Sequence, residues 1–439
     1  MANVNKLGAV REQIEHSCLQ LLKYCQARDW AGFDPYDALN SRMLGFIPLV
    51  DNRLTRIALT QINKRLPINL RPLLLVSKEQ NPKAIALFLM SFVKLSRIKL
   101  LDRKELTGSM IERLIALRSP NSSYWCWGYS FPWQTRTVLV PRWAPNLVCT
   151  TFVANALLDA YETNRDAQSL DMAVSAGEYI LKELYWTDGE SISGFSYPVP
   201  SSRVRVVNAN FLGAALLCRI YQNTGEMKFL EPALKVARYS ATKQHEVGSW
   251  DYGEMPTQRW IDNFHTGYNL CALRSIGRYA ETSEFEQNIR KGFEFYRRHF
   301  FKEDGAPKYY HDRTYPIDIH SVAQSIITLV NLSDLDKGNV ELALSVYKWA
   351  IKNMWDKKGY FYFQKHPFYK NKISHMRWSQ AWMLNSLATL LEEGFVKEIN
   401  STIGKDKSRS IPHQADDRIC NSTEYKANEE SDHSLFLDR

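Results

Sequence analysis

Apolar residues recur at helical spacing along most of the chain, and they do so within a repeating unit. The segment NLVCTTFVANALLDAYE, which starts at Asn146, carries apolar residues every three or four positions and predicts an amphipathic helix. The segment SLDMAVSAGEYILKELYW predicts a second helix, and the aromatic, glycine-containing stretch TDGESISGFSYP follows it. The unit therefore predicts a helical hairpin that ends in an aromatic turn.

The same unit returns from Asn208, Asn263 and Asp318, and one more first helix starts at His375. An earlier hairpin is indicated by PKAIALFLMSFVKLSRI and TGSMIERLIALRS, while the N-terminal segment KLGAVREQIEHSCLQLLKYCQ can partner the last helix. Repeats of this kind bury their apolar faces against their neighbours. Six such hairpins predict an all-α fold, an (α/α)6 toroid over residues 1–399 with short β-turn elements on one rim. An open solenoid is the structural alternative.

The segment 400–439 has a different composition from the rest of the chain. It is polar and shows no apolar periodicity. Such a segment cannot bury enough apolar surface to offset the entropy lost on ordering. We therefore expect a disordered tail that is not needed for folding.

Charge and local motifs narrow the function classes. The net charge of +9 is spread along the 439 residues without a dense basic block, so we expect no nucleic-acid partner. An anionic partner and a solvated basic surface both fit this charge. The sequence has neither a glycine-rich phosphate loop nor zinc-type His/Cys spacing, which predicts no cofactor and no metal.

Hydropathy also bears on location. The most apolar stretch, AIALFLMSFVKL, is interrupted by Lys94 and is shorter than a membrane span, so we expect no transmembrane segment. The first residues, MANVNKLGAVREQIEH, lack the apolar core of a secretion signal. Together these features predict a cytoplasmic protein, with attachment to a membrane surface as an alternative.

In such a toroid the first helices of the hairpins line an inner ring and run in one direction, so their N-termini meet at one rim. The residues that this rim is predicted to collect are Asn146, Asn208, Asn210, Asp262, Asn263, His265, Asp318, His320, Arg377, Trp378 and Gln380. The adjoining turns add Trp127, Trp133, Gln134, Trp250, Asp251 and Tyr252, and Tyr268 follows His265 on the same helix. Aromatic faces with carboxylates, amides and Arg are typical of a saccharide site. Helix caps and packing aromatics are the plain alternative.

The rim supports two chemistries, and the sequence does not separate them. Glycoside hydrolysis needs two carboxylates, for which Asp251, Glu254, Asp262 and Asp318 are candidates. An epimerase or lyase needs a His or Tyr base beside a neutralising Arg, and His265, His320 and Arg377 suit those roles. We take Asp251, Asp262, His265, Asp318 and His320 as the candidate catalytic residues and the other rim residues as substrate-binding.

Two local segments lead to more specific expectations about side chains at the rim. In WAGFDPYDALNS, Asp34 and Asp37 either reach the rim or hold an N-terminal strap by turn hydrogen bonds. In NFHTGYNL, we expect His265 to point into the central cavity beside Asp262 or Asp318, with Tyr268 on the same wall.

The motifs FDPYDALNS, WGYSFPWQTR, APNLVCTTFVANALLDAYE and WIDNFHTGYNL together resemble bacterial polysaccharide-biosynthesis proteins of the VpsJ type, over about residues 25–395. Such proteins are similar in fold to six-hairpin glycosidases and N-acylglucosamine 2-epimerases. The resemblance implies a role in surface-polysaccharide assembly, on an oligo- or polysaccharide that is free or lipid-linked, with glycosyltransferases as partners. A non-catalytic glycan-binding or scaffold protein is the rival function.

The chain departs from this resemblance at one motif. It has Ser130 and Pro132 where the motif GYPFDWQ would place Pro and Asp. If that Asp were the family's acid, this protein would lack it.

Overall fold

The structure, a computed structural model, describes residues 2–43, 52–102 and 104–395, with the side chains of residues 2–7 and 104 left aside. The predicted tail, 400–439, lies outside the described residues. In chain order the helices are α1 (Ala2–Gln26), α2 (Arg53–Arg65), α3 (Pro82–Arg97), α4 (Lys104–Ala116), α5 (Leu147–Asn164), α6 (Ala167–Tyr179), α7 (Val207–Thr224), α8 (Met227–Ala241), α9 (Asn263–Tyr279), α10 (Glu286–His299), α11 (Ile319–Asn331), α12 (Asn339–Met354) and α13 (Trp382–Thr389).

Six of these helices form a closed inner ring. In ring order, α3, α5, α7, α9, α11 and α13 each pack on the next, and α13 packs on α3. Outside them, α4, α6, α8, α10 and α12 each pack on the inner helix that precedes them in the chain. The outer partner of α13 is α1, as the sequence predicted. The predicted (α/α)6 toroid is therefore confirmed, because α1 and α13 complete the sixth hairpin.

Burial explains why inner and outer helices differ in composition. Along the inner helix α11 every residue from Ile319 to Val330 is buried, because α9, α12 and α13 all pack against it. The outer helix α10 buries one stripe, which includes Ile289, Phe293 and Tyr296, and exposes charged residues elsewhere. This is the apolar face of an amphipathic helix packed on one side only.

Short antiparallel strands occupy the connections that lead from an outer helix to the next inner helix. They are β1 (Trp133–Gln134), β2 (Leu139–Val140), β3 (Tyr185–Asp188), β4 (Ile192–Phe195), β5 (Ile317–Asp318), β6 (Trp355–Asp356), β7 (Tyr360–Phe361), β8 (Gln364–Lys365) and β9 (Lys370–Asn371). The pairs are β1–β2, β3–β4 and β6–β7, and β8 lies between β5 and β9. All of these connections reach the ends where the inner helices begin, so the strands build up one rim of the ring.

Helix α2 is an element that the sequence analysis did not predict. Asn52 caps it by accepting a hydrogen bond from the backbone N–H of Thr55. The helix packs on β1 and on the 3-10 turn Asp37–Asn40, and Arg56 Nε donates to Gln134 Oε1 over 2.9 Å. It thus adds a further wall to the rim. Among the described residues no helix combines the length and apolarity needed to cross a bilayer.

Candidate functional site

A cavity of about 670 Å³ opens at the rim where the inner helices begin. This volume is within the range of small-molecule sites. The aromatic residues that line it are Tyr36, Tyr129, Phe131, Trp133, Tyr197, Tyr252, Trp260, Phe264, Tyr268, Tyr309, Tyr310, Tyr369 and Trp378. The rings of Tyr252 and Trp260 lie parallel, with centroids 4.5 Å apart. The cavity therefore offers flat aromatic surfaces together with hydroxyl groups.

His265 enters this cavity from the first turn of α9 and is held by the residue that caps the helix. Asp262 Oδ1 accepts from the backbone N–H of His265 over 2.9 Å, and its Oδ2 lies 2.7 Å from His265 Nδ1. Trp260 Nε1 also donates to Oδ2, over 3.0 Å. Because an ionised carboxylate can only accept, Nδ1 carries a proton and Nε2 is the nitrogen available to a ligand.

A second histidine, His320, lines the same cavity from the first turn of α11. Its Nε2 lies 2.6 Å from the hydroxyl of Tyr268, and its buried Nδ1 has no partner among the described residues. Burial, followed by the charges of Lys83 and Arg377, holds the pKa of His320 well below its ordinary value. Burial also raises the pKa of Tyr268 well above its usual range. His320 is therefore a neutral imidazole beside a protonated phenol.

The two histidines share a wall. The ring of Tyr268 lies 6.0 Å from each imidazole, measured between centroids, and Phe264 contacts both imidazoles at 4.1 and 4.6 Å. His265 thus points into the cavity beside Asp262, with Tyr268 on the same wall. The alternative carboxylate, Asp318, does not bond its ring.

Asp318 lies behind the cavity wall. It is fully buried, and its Oδ1 accepts from the backbone N–H of His320 and from Trp378 Nε1, both over 2.9 Å. Its Oδ2 accepts from Gln364 Nε2 over 2.7 Å. Burial raises the pKa of Asp318, and the hydrogen bonds from these three donors act in the opposite direction. This carboxyl caps α11 and positions Trp378, which itself lines the cavity.

The charge of the cavity wall is predominantly positive. The cationic residues that line it are Lys64, Arg65, Lys83, Arg313 and Arg377, whereas Asp262 is the one acidic residue among the described lining residues. Tyr36 accepts a hydrogen bond from Lys64 over 2.7 Å. This balance favours a ligand that carries a negative charge.

The N-terminal strap reaches the cavity through buried ion pairs. Arg377 donates to both oxygens of Asp34, over 2.7 and 2.8 Å, and Arg71 Nε donates to Asp37 Oδ1 over 2.6 Å. Burial raises the pKa of Asp37 to about 6 in spite of Arg71. Asp34 Oδ1 also accepts from the backbone N–H of Tyr36, so the turn and the ion pairs hold one another.

The predicted site residues divide by position. Those that line the cavity are Trp133, Asn208, Tyr252, Asp262, His265, Tyr268, His320, Arg377 and Trp378. Those that do not line it are Asp34, Asp37, Trp127, Gln134, Asn146, Asn210, Trp250, Asp251, Asn263, Asp318 and Gln380. The functional roles of both groups remain predictions.

Hydrogen bonds account for several amides in the second group. Asn146 Oδ1 caps α5 at the backbone N–H of Cys149, and Asn210 Oδ1 accepts from the backbone N–H of Phe195. Asn263 Oδ1 accepts from Tyr296, Gln134 Oε1 from Arg56, and Gln380 Oε1 from the backbone N–H of Phe361. These amides accept hydrogen bonds from backbone and side-chain groups of the protein itself.

The remaining members of that group are aromatic or acidic. Trp127 is buried and donates from Nε1 to the carbonyl of Leu114 over 2.8 Å, while the buried Trp250 packs on Phe211. Asp251 lies 3.5 Å from His245 Nε2, outside the cavity lining.

Several residues that line the cavity were not predicted from the sequence. Lys64 and Arg65 belong to the unpredicted helix α2, and Tyr36 and Tyr129 lie in loops. Lys83 was missed although its surroundings carry a signal, because NPKAIALFLM places a cation in the first turn of an otherwise apolar inner helix. Among the described residues no three His, Cys, Asp or Glu side chains are grouped to hold a metal.

The toroid matches the fold of solved structures of the six-hairpin glycosidase-like class. The sequence matches no family model and no curated protein. Cellobiose 2-epimerase from Spirochaeta thermophila is similar in structure, with a TM-score of 0.55 and 14% identity over 74% of this chain and 87% of that chain. The unsaturated glucuronyl hydrolase from Streptococcus agalactiae is similar with a TM-score of 0.57 and 10% identity, over 87% of this chain and 91% of that chain. The α-mannanase of family GH76 from Bacteroides thetaiotaomicron is similar with a TM-score of 0.56 and 11% identity, over 73% of this chain and 88% of that chain.

Proposed function

We propose that this protein is a saccharide-modifying enzyme that moves a proton at a carbon next to a sugar carbonyl, as an epimerase or isomerase does. The observation that carries the proposal is the pair of imidazoles on one cavity wall. His265 is oriented by Asp262 so that Nε2 is available as a base, and His320 with Tyr268 provides a second proton-transfer pair. Proton transfer by positioned side chains contributes about 10² to 10⁴ in rate.

The same wall disfavours hydrolysis. A glycosidase commonly uses two carboxyl groups on opposite sides of the glycosidic bond. Of the described cavity-lining residues only Asp262 is acidic, and both of its oxygens already accept hydrogen bonds from the chain. Proton transfer needs no second carboxylate, and the nearby Arg377 can stabilise the negative charge that develops on the carbonyl oxygen.

The substrate class follows from the walls of the cavity. Stacked and edge-on aromatic rings suit the apolar faces of sugar rings, and the excess of cationic residues suits a uronate or a phosphorylated sugar. Cellobiose 2-epimerase, which shares the toroid, lends support to sugar epimerisation. The motif resemblance to VpsJ-type proteins supports a place in bacterial surface-polysaccharide biosynthesis, on a free or lipid-linked saccharide and alongside glycosyltransferases.

Deuterium exchange tests the proposal directly. The full-length protein is incubated in D2O with a panel of reducing oligosaccharides, hexoses and hexuronates, and solvent deuterium at C2 is followed by NMR and mass spectrometry. We expect exchange into at least one sugar, and we expect His265→Ala to lower its rate about 10²-fold or more at unchanged melting temperature. Binding of a sugar by calorimetry without exchange would instead support a glycan-binding or scaffold protein.

A matched control is available because another histidine lies beside an aspartate elsewhere. His245 is exposed and lies 3.5 Å from Asp251, outside the cavity lining. His245→Ala should leave the exchange rate unchanged. If exchange were lost in His245→Ala and retained in His265→Ala, the chemistry would belong to the Asp251 side and the proposal would be wrong.

A further inference from the structure

Lys83 is a buried amine that the acid–base scheme above does not require. It stands in the first turn of α3, where the cap Asn81 accepts from its backbone N–H over 3.1 Å. The residue is 3% exposed and lines the cavity. Its Nζ lies 4.0, 5.3 and 5.6 Å from the ring centroids of Phe152, Trp382 and Tyr268. Three inner helices therefore surround the amine with aromatic rings.

This amine has no acidic partner. Buried lysines are normally paired, because an unpaired buried charge is costly. Among the described residues Nζ has neither an ion pair nor a hydrogen bond, and both oxygens of Asp34 are taken by Arg377. A structural ion pair therefore does not explain Lys83. The group is left facing the cavity.

We propose that Lys83 captures the open-chain carbonyl of a saccharide in this cavity as an imine. The nitrogen lone pair forms a bond to the carbonyl carbon while the C=O π electrons move to oxygen, and a proton passes from nitrogen to that oxygen. The carbinolamine hydroxyl then takes up a second proton and leaves as water, the nitrogen loses its remaining proton, and the C=N bond forms. No oxidant or reductant is consumed, and water reverses the step.

The inference rests on the proposed function for its substrate and deepens it. An imine draws electrons from the adjacent carbon more strongly than a carbonyl does once its nitrogen is protonated. That carbon is the one at which His265 and the Tyr268–His320 pair would move a proton. The covalent bond would also hold an open-chain sugar that otherwise closes to its ring.

The electrostatics around Lys83 favour a reactive amine. Burial, followed by the charge of Arg377, holds the pKa of Lys83 well below its usual range, which Cys149 and Asp34 only partly oppose. The other ionisable groups beside it are the neutral His320 and the protonated Tyr268. The N-terminal end of α3 further disfavours a positive charge. The unprotonated nucleophile is thus available closer to neutral pH than on an exposed lysine.

Reductive alkylation of the full-length protein tests the amine. The probe is D-glyceraldehyde with sodium cyanoborohydride at pH 7, and the modified lysines are quantified by peptide mass spectrometry. Lys94 on the same helix and the exposed Lys358 are internal controls. We expect Lys83 to react faster than both controls, because its burial among aromatic rings favours the unprotonated amine. Labelling of Lys83 at or below the rate of Lys94 would overturn the proposal.

Two variants separate covalent capture from simple charge. Lys83→Arg keeps a cation that cannot form an imine, and Lys83→Met keeps the length without charge. We expect both to lose deuterium exchange into a sugar that the wild type exchanges, by at least about 10²-fold per folded protein. The melting temperature of Lys83→Met should be no lower than that of the wild type, because an unpaired buried amine is removed. Exchange at the wild-type rate in Lys83→Arg would show an electrostatic role and overturn capture.

The outcomes distinguish this inference from the proposed function. Selective labelling of Lys83 in a protein that exchanges no sugar would contradict epimerisation while leaving the reactive amine standing. Exchange that depends on His265 but proceeds in Lys83→Arg would contradict imine formation while leaving epimerisation standing.

Discussion

His265 and His320 occupy corresponding places on neighbouring inner helices, yet the fold treats them differently. Each follows an aspartate that caps its helix, at a spacing of three residues after Asp262 and two after Asp318. His265 is bonded through its ring by its capping carboxylate and keeps a side-chain exposure of 20%. His320 is 1% exposed, and its capping carboxylate bonds only its backbone N–H. A difference of one residue in spacing accompanies a different environment.

Helix geometry explains the difference. Successive residues are turned by about 100° around a helix axis, so a side chain at the third position leans back over the cap whereas one at the second position points elsewhere. The spare oxygen of Asp262 therefore reaches an imidazole, while that of Asp318 reaches Gln364. Two residues that look equivalent in the sequence thus become an orienting carboxylate and a structural one.

The strongest test of this comparison is Asp262→Asn. The amide keeps an oxygen to cap α9 but offers N–H where Nδ1 already donates, so the imidazole must change tautomer or lose its partner. We expect the deuterium exchange rate per folded protein to fall by about 10²-fold or more. Trp260 Nε1 loses the same acceptor, so the melting temperature should also fall. Wild-type exchange in this variant would remove Asp262 from the reaction.

Asp318→Ala should act on stability instead. It removes the cap of α11 and leaves two buried donors, from Trp378 and Gln364, without an acceptor. We expect a loss of about 3 kcal/mol in the free energy of unfolding, measured by urea denaturation. Any residual exchange should follow the folded fraction. A variant as stable as the wild type but inactive would instead assign Asp318 a chemical role.

The pH dependence of stability tests whether His320 is neutral in the folded protein. Its pKa is low in the folded protein and about 6.5 in an unfolded chain, so below that pH only the unfolded chain gains a proton. The free energy of unfolding should therefore fall with decreasing pH, by about 1.4 kcal/mol per unit for this group, with the buried His375 adding a similar share. The stabilisation that comes from the neutral His320 is fully present above about pH 6.5.

His320→Gln isolates the contribution of His320 to the pH dependence of stability, because the Gln amide can still form a hydrogen bond with Tyr268. The difference between wild type and variant cancels the opposing contribution of Asp37, whose raised pKa favours the folded state as pH falls. Urea titrations at pH 7.5, 6.0 and 5.0 should show a slope that is smaller in His320→Gln. Equal slopes would contradict a neutral, buried His320.

The smallest effect is expected for Tyr268→Phe. The change removes the hydroxyl that lies 2.6 Å from His320 Nε2 while keeping the ring that packs on Trp382. We expect a loss of about 1 kcal/mol, because cavity water can replace part of the hydrogen bond. Exchange should slow less than in Asp262→Asn. A larger loss of exchange than in Asp262→Asn would reverse the assignment of the principal base.

The repeat in the sequence was enough to predict the ring. Apolar spacing within each helix and the regular distance between hairpins are local properties, and they predicted both the inner helices and the closing role of α1. The same logic predicted that helix starts would gather on one rim, and so placed His265 with Asp262 in the cavity. Helix α2 was not predicted. Its apolar residues Leu54 and Ile62 are exposed and do not form one apolar face that packs on the core.

Tertiary structure alone decided which rim residues face a ligand. Asn210 and Asp318 read like His265 in the sequence, but Asn210 accepts from the backbone N–H of Phe195 and Asp318 accepts from Gln364, both of which lie elsewhere in the chain. Lys83 shows this most clearly, since the rings around it belong to α5, α9 and α13 and meet it only when the ring closes. Helix formation follows from short-range periodicity, whereas burial, pairing and charge at the cavity depend on contacts that no local pattern records.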